Sequence, residues 1–419
     1  MTTTLRKKID YVSPSRQRWM GGIQMALALG IWAIFSRSLE TGTFTTFVMT
    51  PGGSEFELPN WIFSTLPTLN TFAMIAFAFG AYQFIKGFGK RTNLILSIVV
   101  GLFVFSFLSW ATAEKSINLA GLLKGTMVRA VPIALGAFAA MINERAGIVN
   151  IAIEGKMLAG ALVSVLIGSL TNLWIGLIAA IIVGGLLAWV HGILSIKYKT
   201  DQIISSTVIL IFATGLTSFV SARFLQKYQH LNSSGIFHSF PIPILSEIPF
   251  FGPILFDHNI FVYAMYFFLF FLYFALFQTR WGLRLRSVGE HPKAADTLGI
   301  DVNKTRYMAV ILSGMMGGFA GAYFTLGSVG RFDEVMTAGR GFIGLAAMIF
   351  GNWSPFGSFG AGLLFGFADS LASKLAILGV NISSEFLLMT PYIATMIVLA
   401  GVVGRGQMPA ASGQPYEKE

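Results

Sequence analysis

Apolar runs of about twenty residues recur along the chain, separated by short polar connections. Nine are clear: 20–36, 66–85, 94–112, 173–195, 203–222, 259–277, 306–328, 358–378 and 386–403. A helix needs about 20 mostly apolar residues to cross the hydrocarbon core of a bilayer, so each run predicts a span. Three further runs are marked by polar groups or shortness. Segment 120–142 carries Lys124, Arg129 and Pro132, segment 150–169 carries Glu154 and Lys156, and segment 340–352 is too short to cross alone. The pattern therefore predicts an all-α polytopic membrane protein of ten to twelve transmembrane or re-entrant helices. Arg6, Lys7, Lys8, Arg16 and Arg18 precede the first run in the manner of a signal peptide. No small-residue cleavage site follows and further spans do, so this run is expected to stay as a helix.

Composition agrees with that pattern. Of 419 residues, 54% are hydrophobic and only 11% charged, against about 25% charged in an average soluble protein. Such a chain cannot cover a water-facing surface. The net charge of +10 is spread over short loops, whereas a nucleic-acid binder gathers its basic residues on a polar domain. No nucleic-acid partner is expected. Placing the N-terminus inside and alternating puts 18 Lys and Arg in inside loops and six in outside loops. That bias orients the chain with both termini cytoplasmic. Cysteine is absent, which removes disulfides and thiolate sites.

Ionisable groups at membrane depth are costly and mark cavities or partners. The richest stretch runs from Asn143 to Lys156, where Asn150 and Glu154 stand four apart and share a helix face. A second glycine-rich stretch runs from Ala338 to Trp353. Offset by 192 positions, Ala146-Gly147 meets Ala338-Gly339 and Ile151 meets Ile343. This weak repeat would supply two broken or short helices to a central site. Asp369 lies mid-segment and needs a partner or water; Lys374 can snorkel outward. His191 reads as structural. The long connection 223–258 contains four prolines and is expected to be irregular but stiff.

The connection 279–304 encodes a compact knob. Pro292 suits the first helical position, where its missing N–H costs nothing, and Gly299 suits the left-handed position that ends a helix. Between them, Ala294, Ala295 and Leu298 offer a small apolar surface. No Gly-x-x-x-x-Gly-Lys-Ser/Thr is present, no His/Glu pair has metalloprotease spacing, and no catalytic pair stands at helical spacing. No catalytic residue, metal or cofactor is expected; the energy would come from an ion gradient or a separate ATPase.

The stretch from Leu285 to Ile300 resembles the ATPase-coupling loop of ABC importer permeases for branched-chain amino acids, ribose and nucleosides, and the likeness is strongest to the nucleoside and simple-sugar permeases. Glu144 to Ile151 with Glu154-Gly155, Thr200 to Ser205, and Gly339 to Ala347 resemble further motifs of that family, in the same order. Asp201-Gln202 stands where the family usually carries Asn-Gln. The likeness covers roughly 120–403, so the expected organisation is an accessory extension over 1–115, a permease core over 116–405 and a cytoplasmic tail over 406–419. The resemblance implies a multi-pass permease of the cytoplasmic membrane, working beside a second related permease. It implies an ATPase subunit that binds the ATP and an extracytoplasmic substrate-binding lipoprotein. The expected substrate path involves Asn150, Glu154, Asp369 and Phe342. Coupling is expected at Gly289, Glu290, His291, Pro292, Ala294, Ala295, Leu298 and Gly299, with the basic residues of the knob against membrane lipid. The expected cargo is a nucleoside or related sugar-containing solute; branched-chain amino acids, simple sugars or ion-coupled secondary transport are the alternatives.

Overall fold

The computed structural model describes residues 14–52, 57–379, 389 and 408–418. The predicted span 386–403 lies, apart from Met389, outside the described residues. The chain forms two compact units, residues 1–120 with 374–383 and residues 121–373 with 384–419.

In the first unit three long apolar helices pack together: α1 (Pro14–Gly30), α2 (Thr65–Ile85) and α3 (Thr92–Ala111). Their core is Ala28, Ile31, Phe35, Leu69, Ala73, Ala76 and Val99. Small residues let α1 and α2 approach closely: a Cβ on Gly21 would lie 2.7 Å from Phe84 Cα, and one on Gly80 would lie 2.8 Å from Met25 N. The apolar periodicity did not announce three short strands, β1 (Phe44–Val48), β2 (Trp61–Ser64) and β3 (Ser116–Asn118). β1 pairs antiparallel with β2, Phe44 facing Ser64, and parallel with β3, Phe47 facing Ile117. The rings of Phe47, Trp61, Phe63 and Phe105 cluster on this sheet.

The second unit holds α4 (Leu119–Glu144), α5 (Ile153–Leu170), α6 (Leu173–Gly192), α7 (Gln202–Val220), α8 (Phe251–Leu255), α9 (Ile260–Gln278), α10 (Arg280–Glu290), α11 (Pro292–Thr297), α12 (Val302–Phe324), α13 (Arg340–Phe350) and α14 (Pro355–Ile377). Two-residue strands β4 (Phe240–Pro241) and β5 (Asp257–His258) pair in the irregular connection before α9. Polar residues between the runs start the helices by capping them: Asn172 for α6, Asp201 for α7, Asn259 for α9, Thr279 for α10 and Asp301 for α12. Asp201 Oδ1 accepts from Ile203 N (2.8 Å) and Ile204 N (2.9 Å), a role Asn fills equally well.

Ten helices among the described residues are long and apolar enough to cross a membrane. The marked runs 120–142 and 150–169 are α4 and α5. Their polar groups are explained by position, since α4, α5 and α12 bury 83, 72 and 78% of their most apolar windows, against 33 and 28% for the stretches containing α6 and α7. α4 keeps Pro132 in mid-helix, which the bilayer permits where neighbouring helices cover the freed backbone. The run 340–352 is α13. Eleven residues rise about 16 Å, roughly half the hydrocarbon thickness. It is therefore too short to cross alone, and it is followed by the turn 351–354 and α14.

Glycines lock this core. A Cβ on Gly318 of α12 would collide with the Ala180 carbonyl of α6, one on Gly314 with Gly184, and one on Gly321 with the Met157 carbonyl of α5. Backbone-to-backbone contact of this kind is how apolar helices associate where lipid removes the hydrophobic drive. We expect Gly318→Val to overpack α6, costing about 1–3 kcal/mol or more. Gly215→Val, with nothing within 4 Å of its built Cβ, should stay within about 0.5 kcal/mol. Thermal melting of the purified, detergent-solubilised chain compares them; equal melts would contradict the packing account.

Candidate translocation site and coupling elements

The half-helix α13 creates a problem at its start. Helices leave their first N–H groups without internal partners, and here that of Gly341 is buried. Glu154, in the first turn of α5 and 4% exposed, supplies the acceptor. Its Oε1 accepts from Thr337 Oγ1 (2.6 Å) and Gly339 N (2.8 Å), and its Oε2 from Gly341 N (2.6 Å). A Cβ on Gly341 would lie 2.6–2.7 Å from Glu154 backbone and carboxylate atoms. The two stretches aligned by the 192-residue offset are thus bound to each other. Both carry a left-handed glycine at the matched position, Gly147 at φ +83° and Gly339 at φ +78°.

Asn150 is 1% exposed and turns its Oδ1 back on Ala152 N (3.0 Å). Around it lies a buried polar seam. Val149 N donates to Gln202 Oε1 (2.7 Å), His191 Nε2 lies 3.1 Å from Val149 O, and Ser205 Oγ lies 3.2 Å from His191 Nδ1. Lys156 is fully buried among α5 and α12, and its Nζ has no partner among the described residues. The Glu154 carboxylate is bonded to the start of α13, so an ion pair with Lys156 is not its role.

Asp369 of α14 sits in an ion cluster. Arg129 Nη1 of α4 donates to its Oδ2 (3.0 Å), and so does Arg340 Nη2 at the start of α13 (3.1 Å). Arg129, Asp369 and Arg340 are 33, 25 and 24% exposed. Asp369 lies fourteen residues beyond the start of α14, about 21 Å along it. Arg340 also lies over the Phe324 ring, 5.9 Å from its centroid. One and a half turns further out on α4, Lys124 pairs with Asp257 of β5 (2.7 Å). Phe342, two residues beyond Arg340, is 42% exposed. Asp369 and Phe342 therefore stand on accessible surface, while Asn150 and Glu154 lie behind it. Arg129 and Asp369 were visible as charges inside apolar runs, whereas Arg340 was counted with the outside loops. Charge parity was the available signal for pairing them; Thr337 gave none.

At the other end of the unit, Arg145 donates from Nε and Nη2 to Trp353 O (3.1 and 2.7 Å), and Trp353 Nε1 donates to Glu144 Oε2 (2.6 Å). Burial and the neighbouring Arg286 lower the Arg145 pKa, partly opposed by Glu290. The end of α10 packs against Arg145, and α11 packs on α10 and α12. Pro292 opens α11 and Gly299, at φ +82°, ends it, while His291 Nδ1 accepts from Ala294 N (3.2 Å). Glu290, His291, Ala294, Leu298 and Gly299 are exposed, Leu298 by 81%. Two residues expected on the outer surface of this knob are turned inward. Ala295 is 2% exposed, packed with Val288 and Val302. Gly289 is buried where a Cβ would fall on the Arg145 carbonyl. Both hold the element together from inside.

Residues 122–403 match the family described as the branched-chain amino acid transport system permease component. The chain is 39% identical over 311 residues to the guanosine ABC transporter permease protein NupQ of Bacillus subtilis (strain 168), covering 71% of this chain and 96% of that one. The chain belongs to this ABC permease family. It is also 38% identical to the nucleoside ABC transporter permease protein NupC of Lactococcus lactis subsp. cremoris (70% of this chain, 95% of that one). With the putative glucose ABC transporter permease protein TsgC13 of Haloferax volcanii it shares 32% (72 and 98%). No solved structure matches. The permease is a multi-pass membrane transport subunit, one component of an ABC transporter. Its family match begins at residue 122, after the three helices of the first unit.

Glu154→Gln would turn an amide N–H₂ toward a buried N–H donor at the start of α13. Charge-assisted hydrogen bonds contribute about 1.5–3 kcal/mol each, so this variant should lose most transport and melt at lower temperature. Thr337→Val removes one donor and should cost less. The comparison is melting temperature and uptake in both variants; a Glu154→Gln permease with normal values of each would refute the clamp.

Proposed function

We propose that this permease is the membrane subunit of an ABC importer for a nucleoside or related sugar-containing solute. Separate ATPase subunits on the cytoplasmic side bind the ATP and drive alternating access. The loop charge bias supports a cytoplasmic membrane location with both termini inside. The observation that carries the proposal is the cluster Arg129–Asp369–Arg340. Ion pairs a quarter to a third exposed at membrane depth face water or protein, because hydrocarbon would not tolerate them. They stand beside the start of a broken helix, where transporters place substrate sites. Guanidinium donors and a carboxylate acceptor suit the hydroxyls and base edges of a nucleoside. Relatives transporting guanosine, nucleosides and, putatively, glucose support that solute class.

The exposed side of the cluster needs a second wall, and a related permease subunit supplies it. An extracytoplasmic binding lipoprotein delivers solute to the outer face. There Gln226, Gln229, His230, Arg331, Asp333 and Glu334 line a polar cleft of about 660 Å³. Asn150 and Glu154 shape the path from behind, and Phe342 borders it.

Proteoliposomes holding the permease with its genomic neighbours test this. Radiolabelled nucleoside should enter only with ATP inside and binding protein outside, and collapse of ion gradients should not stop it. Uptake that follows an ion gradient without ATP, or that leucine competes while nucleosides do not, would overturn the reading. Asp369→Ala should leave two adjacent guanidiniums without their shared carboxylate and lower uptake about tenfold, with assembly intact. Uptake at the wild-type level in that variant would remove the cluster from the path.

A further inference from the structure

The described C-terminal segment, 408–418, is short, polar and nonhelical, yet it is bound at several points to the face that carries α10 and α11. Ala411 N donates to Gly289 O (2.9 Å), at the end of α10. Two residues later, Gly413 N donates to Gly147 O (3.1 Å), in the turn that leads to α5. One stretch of backbone thus clamps together, through main-chain bonds, two elements that also touch directly, since a Cβ on Gly147 would lie 3.5 Å from Gly289 Cα. Ala410 N reaches Glu290 Oε2 (3.3 Å), and the buried Arg306 of α12 donates from Nη1 to Gln414 O (3.1 Å). Tyr416 packs against the cluster of Val288, Ala295 and Val302 that holds α11 to α10 and α12. Lys199, before α7, pairs with Glu417 (2.6 Å).

The same contact, with the left-handed backbone at φ +83°, asks for a glycine at position 147. A Cβ on Gly147 would lie 3.1 Å from Ala411 O and 3.1 Å from Arg306 Nη2. The small residues Ala410, Ala411 and Gly413 let the segment lie that close. The exposed ion pair Lys199–Glu417 adds little, being open to solvent and salt; the main-chain bonds and Tyr416 carry the attachment.

We infer that the segment 408–418 is a strap that transmits movement of the α10–α11 element to the 145–149 turn, and so to α5 and α13. The line is continuous. The strap joins Gly289 to Gly147, Arg145 joins the same turn to Trp353 at the end of α13, and Glu154 holds the beginning of α13. A displacement of α10–α11 therefore reaches both ends of the half-helix. The inference rests on the ABC reading above, since it needs a partner that moves α10–α11.

The test uses the complete transporter in proteoliposomes, with ATP hydrolysis and solute uptake measured together. Three variants are compared: a chain ending at residue 407, Tyr416→Asp and Gly413→Val. All three should insert, retain the ATPase subunit and hydrolyse ATP, with uptake per ATP reduced about fivefold or more, the scale of a typical coupling between sites. An unchanged ratio in all three overturns the strap. Loss of ATPase co-purification from folded variants also overturns it, because the segment would then be docking surface. Failure of all three to fold overturns it too, because the segment would then be part of the fold's foundation. Absence of ATP-driven uptake in the unmodified transporter is a separate result and counts against the ABC reading.

Discussion

A helix whose start is buried leaves backbone N–H groups where no water can meet them, and the arrangement of the second unit follows from how α13 meets that demand. The acceptor comes from α5, itself preceded by an unwound stretch. One carboxylate takes the N–H groups of Gly339 and Gly341 and the hydroxyl of Thr337. Gly341 has to be glycine-sized because the carboxylate and the α5 backbone occupy the space a side chain would use. With the start of α13 held there, Arg340 is delivered beside α14, and Asp369 acquires two guanidinium partners.

The surrounding helices are arranged to keep that geometry stiff. The glycine stripe of α12 brings its backbone against α5 and α6, so α5 cannot shift independently of its neighbours. Interiors packed this closely repack in discrete steps rather than deform smoothly. That property suits the alternating access proposed above, in which a small displacement at the α10–α11 end becomes a change at the α13 end. The turn around Arg145 and Trp353 is the junction between the two.

The partly exposed cluster and the buried carboxylate divide the polar work of the core. Glu154 is fully occupied by backbone and hydroxyl donors. Arg129, Arg340 and Asp369 keep part of their surface open, where a solute or a second subunit can reach it. Lys156 is held in the interior between α5 and α12, away from that surface.

Much of this was legible along the chain. Every predicted run within the described residues corresponds to a helix, because burial in lipid or protein writes a composition that survives without knowledge of neighbours. The polar residues that cap α6, α7, α9, α10 and α12, and the limits of α11 at Pro292 and Gly299, act over one helical turn and so are readable locally. The short strands of the first unit were not, since their pairing depends on segments brought together from positions 44, 61 and 116. The inward turn of Ala295 depends on Val302 and Tyr416, which no local pattern places beside it. The partner of Glu154 lies 183–187 residues away, and Arg129 meets Asp369 across 240. The sequence alone determined which groups would be costly to bury; only the tertiary structure decided which donors would meet them, because that choice is made by contacts between helices and not by the periodicity within one.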